Sequence, residues 1–136
     1  MASGTYTLLV ELSTDATLSV GALGDHTFPV GWYGYTGSAF GTGGFARVDR
    51  HRELAAGDRD ARHWHVDYLL GHPAARLVDD VRTVDQDVEC AVARALPDGP
   101  VDGFGASDCD CESHLAYAPD RATLMRAVRA AHETAR

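Results

Sequence analysis

Thr5-Tyr6-Thr7-Leu8-Leu9-Val10-Glu11-Leu12 is a run of aromatic, β-branched and aliphatic side chains interrupted by one charge. That composition favours a strand. Turn formers at Ser13–Ala16 separate it from a second β-rich run, TLSVGAL at 17–23, so the two read as a hairpin. The aromatic run Gly31–Thr36 adds a third strand that pairs with them.

Working outward, a glycine-rich loop at Gly41–Gly44 precedes Phe45, Val48 and Ala55, which recur at helical spacing. Arg47 and His51 fall on the opposite face of that helix. Gly57–Arg62 is charged and turn-like, and HWHVDYLL at 63–70 suits a short helix resting on Trp64, Tyr68 and Leu69. Ala75–Val81 reads as a strand. Asp85 or Asp87 then caps a helix burying Val88, Ala91, Val92 and Ala95, stopped by Pro97 and Gly99, with Glu89 at the edge of its apolar face. GFGASDCDCESHLAY at 103–117 is a loop, and Pro119 with Asp120 opens a last helix through Leu124, Val128 and Ala131. The expected fold is α+β: a small antiparallel three-stranded sheet flanked by helices, with an extra strand and a C-terminal helix, in one domain over residues 1–136.

Composition sets the outer bounds. With 136 residues, 45% hydrophobic and 24% charged, the chain has the size and balance of one folded domain. No apolar run is long enough to span a bilayer, and the opening MASGTYTLLVEL has no basic region, so no membrane and a cytoplasmic location are expected. All 12 cations are Arg, while Lys, Ile and Asn are absent, as in proteins from G+C-rich genomes. The net charge of −8 resembles the acidic surfaces of halophilic proteins. A pI near 5.2 stands against nucleic acid, whose binding domains usually exceed about 9. Between residues 47 and 62, however, five Arg outnumber four carboxylates.

Four groups of residues could carry chemistry. Tyr6 lies on the first strand, and Tyr33 and Tyr35 point to one side of the third, which core packing also explains. Arg47 and His51, four apart on a helix after a glycine loop, suit an oxyanion, or simply a solvated face. Glu89 can hold a hard divalent ion with waters completing its shell, or be solvated. Cys109-x-Cys111-x2-His114 has zinc-type ligands, but the C-x-C gap is short and Asp108, Asp110 and Glu112 oppose thiolates, so zinc is disfavoured. Three Cys, an odd number, in a chain of this kind argue against a disulfide framework and for free thiols or a metal, with Cys109 and Cys111 expected as free thiols.

Taken in order, these residues resemble the GIY-YIG nuclease superfamily, specifically its Uri-type branch of small stand-alone proteins. Gly4-Thr5-Tyr6 stands in the place of GIY and Tyr35-Thr36-Gly37 in that of YIG, with Thr for Ile in both. Arg47 within GGFARV takes the place of the family arginine, His51 follows it by four, and Glu89 matches the single metal-ligand glutamate. The runs GWYGYTGSA, HWHVDYLL and GFGASDCDCESHLAY resemble that branch over nearly the whole chain.

The resemblance implies a metal-dependent endonuclease that hydrolyses phosphodiester bonds in nucleic acid, DNA ahead of RNA, with one Mg²⁺ or Mn²⁺ on Glu89. It implies catalytic roles for Tyr6, Tyr35, Arg47, His51 and Glu89, and substrate contacts for Gly37, Ser38, Arg50, His63 and His65. A monomer is expected. The alternatives are a non-catalytic nucleic-acid-binding module on the same fold and a small structural zinc protein.

Overall fold

The computed structural model describes residues 3–20, 24–40, 44–55, 65–97 and 114–135, without the side chains of residues 65 and 67. Its first strand, β1 (Gly4–Leu12), is buried along nearly its whole length. A strand with apolar groups on both faces needs neighbours on both edges and cover on both sides. Accordingly β1 lies inside an antiparallel sheet, paired with β4 (Gly31–Ser38) on one side and β5 (Ala75–Val84) on the other. A short β6 (Leu115–Ala118) adds to β4, giving the order β5-β1-β4-β6. The α+β architecture is as expected, with four strands in the main sheet.

The expected hairpin does not form. The second run contributes β2 (Ala16–Ser19), which pairs with β3 (Asp25–Phe28) in a separate two-stranded sheet. Both edges of β1 are already occupied, and Ser13 leaves the sheet by donating its N–H to Ala74. The run at 103–117 is not all loop either, since Leu115 onward is β6, held by Trp32, Tyr33, Gly34 and Tyr35.

The two sides of β1 sort the helices. Tyr6, Leu8, Val10 and Leu12 join the cluster containing Val48 and Leu54 of α1 (Ala46–Ala55) and Val66, Leu69 and Leu70 of α2 (His65–Leu70). Leu9 joins the cluster of Val92 and Leu96, at α3 (Glu89–Ala95), and Leu124, Val128 and Ala131 of α4 (Arg121–Ala135). The alternation of β1 therefore separates two cores.

α4 starts as expected: Asp120 accepts the Thr123 N–H at 2.9 Å, and burial lands on Leu124, Val128 and Ala131. α3 does not. Neither Asp85 nor Asp87 caps it; Val88 occupies the cap position, and its N–H goes to the Thr5 hydroxyl at 3.0 Å. Asp85 sits at φ 62, turning the chain after β5, and Ala91 and Ala95 are exposed because so short a helix presents only Val92 and the following Leu96 to the core.

Beneath α4 lies a buried polar chain. His132 contacts the hydroxyls of Thr7 through Nε2 and of Thr83 through Nδ1, each at 2.8 Å, and Thr7 reaches Thr36 at 2.9 Å. Buried polar groups of this kind persist because each finds a partner.

Candidate functional site

The two tyrosine tripeptides meet because β1 and β4 pair with Tyr6 opposite Gly37. A Cβ at residue 37 would lie 2.5 Å from the Tyr6 hydroxyl and 2.7 Å from Cζ, so the missing side chain is what lets the phenol lie across β4. The Tyr6 hydroxyl meets His51 Nε2 at 3.1 Å. The imidazole also packs against both phenol rings, with centroids 5.8 Å from Tyr6 and 6.3 Å from Tyr35. Tyr6 and His51 are each 1% exposed.

His51 is thus on the buried face of α1 with Val48 and Leu54, which corrects the expectation that it faces away from the core. Phe45 precedes the helix and Ala55 ends it, so an apolar face drawn through them is rotated from the true one. The imidazole is tolerated inside because Tyr6 supplies a polar partner. Arg47, one turn earlier and half-buried, directs Nη1 to the Ser38 carbonyl at 2.5 Å, fastening the start of α1 to the end of β4. Tyr6, Tyr35, Gly37, Ser38, Arg47 and His51 therefore form one group. Arg50 is half-exposed on the same helix. His63 and the side chain of His65 lie outside the described residues.

Glu89 opens α3, whose Val92 belongs to the other core. Its described contact is with His114, whose Nδ1 lies 3.2 Å from Glu89 Oε1. Two bridges bring this pair to the tripeptides. Val88 and Gln86 are tied to the Thr5 hydroxyl beside Tyr6, and the N–H of Thr36, between Tyr35 and Gly37, donates to the His114 carbonyl at 3.0 Å.

Burial holds His114 below the usual imidazole range, with a hydrogen bond from its ring to the Thr36 backbone working the other way. The neutral ring then donates Nδ1–H to the carboxylate, which leaves Nε2 as a buried acceptor with no hydrogen-bond partner among the described residues. Sequence reading placed His114 only in a zinc motif; its partnership with Glu89, 25 positions away in the chain, has no local signal.

The thiol expectation fails at Cys90, which is disulfide-bonded. Cys109 and Cys111 lie outside the described residues. Among the described residues no group of three or more His, Cys, Asp or Glu could hold a metal ion, and no helix is long and apolar enough to cross a membrane.

A family model described as "Domain of unknown function DUF123" matches residues 5–136. No curated protein and no solved structure matches the chain.

Proposed function

Starting from the fact that the chain belongs to the DUF123 family, we propose that it is a metal-dependent endonuclease acting on nucleic acid, with DNA the first substrate to test. The observation that carries this reading is the contact of Tyr6 with His51, framed by Gly37, one helical turn from Arg47. The resemblance to GIY-YIG nucleases supports it, since the grouped residues are those that the two tripeptides and GGFARV supply.

Hydrolysis of a phosphodiester needs an oriented phosphate and a water that loses a proton as it attacks. Arg47 presents a guanidinium fork to the non-bridging oxygens. Tyr6 takes the proton of the water on its oxygen as it passes its own to His51 Nε2. The imidazole thereby becomes cationic, and Tyr6 never has to ionise alone near its ordinary pKa of about 10. Tyr35 keeps the imidazole in place from its edge.

Glu89 is the residue that would hold a Mg²⁺ or Mn²⁺ ion. Its carboxylate is a hard donor, 21% exposed and oriented by His114, which fits one ion completed by water. When bound, that ion offsets charge on the phosphate and on the leaving oxygen.

A specific observation favours a second reading, a binding module without catalysis: Tyr6 and His51 are 1% exposed, which keeps water from the phenol in this conformation. One experiment separates the two. Glu89→Gln and Arg47→Ala should abolish Mn²⁺-dependent cleavage of labelled DNA, the latter by about 10²-fold or more, while Glu89→Gln binds DNA as before. Binding without cleavage by the wild-type protein, over branched and linear substrates with Mg²⁺ and Mn²⁺, selects the binding module.

A further inference from the structure

The sheet places a second arginine beside Tyr6. On its β5 edge Tyr6 is paired in register with Arg82, and residues directly opposite in an antiparallel pair project to the same face. Arg82 donates Nε–H to Asp80 Oδ1 at 2.7 Å and lies over the Phe45 ring, with Cζ 4.8 Å from its centroid. The other oxygen of Asp80 takes Arg52 Nη2 at 2.5 Å, from the residue after His51 on α1. One carboxylate, its side chain 10% exposed, thus braces two guanidinium groups that are 42% and 37% exposed.

This trio carries a net positive charge in a chain of −8. Each arginine gives a single nitrogen to Asp80 in these contacts, so the remaining N–H donors of both forks are available to an anion. Beyond Arg52 the surface continues into a cavity of about 290 Å³ between the end of α1 and the start of β5, lined among the described residues by Arg52, Ala55, Ala75, Arg76 and Leu77, none of them a carboxylate. Arg76 is itself engaged by Glu11 at 2.8 Å, so the unneutralised charge belongs to Arg52 and Arg82.

We propose that Arg52 and Arg82, braced by Asp80, bind a backbone phosphate adjoining the one addressed by Arg47, and so lead a nucleic-acid strand along the groove between α1 and β5. This assignment rests on the nucleic-acid reading above and extends it to the strand's path. Bracing holds the two forks in place before the strand arrives, so less side-chain freedom is lost on binding. Arginine suits the role because its planar donors match a phosphate.

The test uses the full chain in chelator, so that no strand is cut, with a fluorescently labelled single-stranded oligonucleotide followed by anisotropy across a KCl series. Each neutralised phosphate contributes about 0.7 to the slope of log affinity against log salt for single strands. The Arg52→Gln/Arg82→Gln double variant, which gives up that one phosphate, should lower the slope by about 0.7 and weaken binding about fivefold at 0.1 M salt, with each single variant losing part of both. Arg82→Lys should keep the slope, because it keeps the charge. Arg126→Gln, at an exposed position on α4, should leave the slope unchanged. Unchanged slopes in the Arg52 and Arg82 variants overturn the assignment while leaving the nucleic-acid reading intact. An equal loss in Arg126→Gln also overturns it, because net charge alone would then explain the effect. No binding by the wild-type protein overturns both.

Discussion

Gly37→Ala tests whether the glycine of the second tripeptide serves as clearance for Tyr6. The added Cβ would lie 2.5 Å from the hydroxyl, 2.7 Å from Cζ and 3.1 Å from Cε2, well inside ordinary contact. A flexible, exposed side chain would swing away at little cost. Tyr6 cannot, because it is 1% exposed and its hydroxyl meets His51. Overpacking of this kind costs about 1–3 kcal/mol, and the displaced hydroxyl loses a buried hydrogen bond of about 1 kcal/mol. Replacing glycine restrains the unfolded chain and returns about 0.4–1 kcal/mol. The clash outweighs that gain and leaves a net loss near 2–3 kcal/mol, which for a domain of this length lowers the midpoint by about 7–10 °C. Thermal unfolding by circular dichroism measures it. Combining Gly37→Ala with Tyr6→Phe, which removes the nearest atom, should recover part of the loss as a coupling energy. A Gly37→Ala protein that melts within about 2 °C of wild type refutes the clearance argument and leaves the glycine to another cause.

His132→Ala should destabilise by about 3 kcal/mol, because it opens a cavity under α4 and removes the partner of the Thr83 hydroxyl, a loss near 10 °C in the same melts. A shift below about 2 °C would show that the threonines find other partners. Asp80 provides a pH test. Burial pushes its carboxyl up, but hydrogen bonds from Arg82 and Arg52 outweigh that and hold it below the usual carboxylate range. With the folded value depressed, its stabilisation is complete above the unfolded value near 3.8 and is lost as the pH falls through the folded one. Urea midpoints across that acid range should therefore fall less steeply in Asp80→Asn than in wild type; equal slopes would show that the two arginines do not hold the carboxylate.

Much of the fold was legible in local sequence. The spacing of Leu124, Val128 and Ala131 with Asp120 ahead of them located α4, because helix periodicity and an N-cap are properties of consecutive residues. The density of strand formers identified β1, and the tripeptides with GGFARV picked out Tyr6, Tyr35, Gly37, Arg47 and His51 as a set that the fold then gathered. Which partner each strand chose was not legible. β1 is joined to β5 across more than sixty positions, and pairing at that range depends on which edges remain open once both cores have formed. His51 looked solvent-facing because a polar side chain on a helix normally is, and only the approach of Tyr6 from another strand reverses that.

The sequence by itself determined β1, β4, β5 and α4 as elements and the identity of the chemistry-bearing side chains, which follow from intrinsic preferences of short segments, while the short strands β3 and β6 were not legible in it. Tertiary structure alone decided the company those side chains keep: His114 against Glu89, Arg82 beside Tyr6, Asp80 between two arginines, and His132 against Thr7 and Thr83. Apart from the contact of Asp80 with Arg82, these join residues far apart in the chain, and such contacts carry no local signature. Burial, orientation and charge at these groups arise only when the sheet and helices close around them.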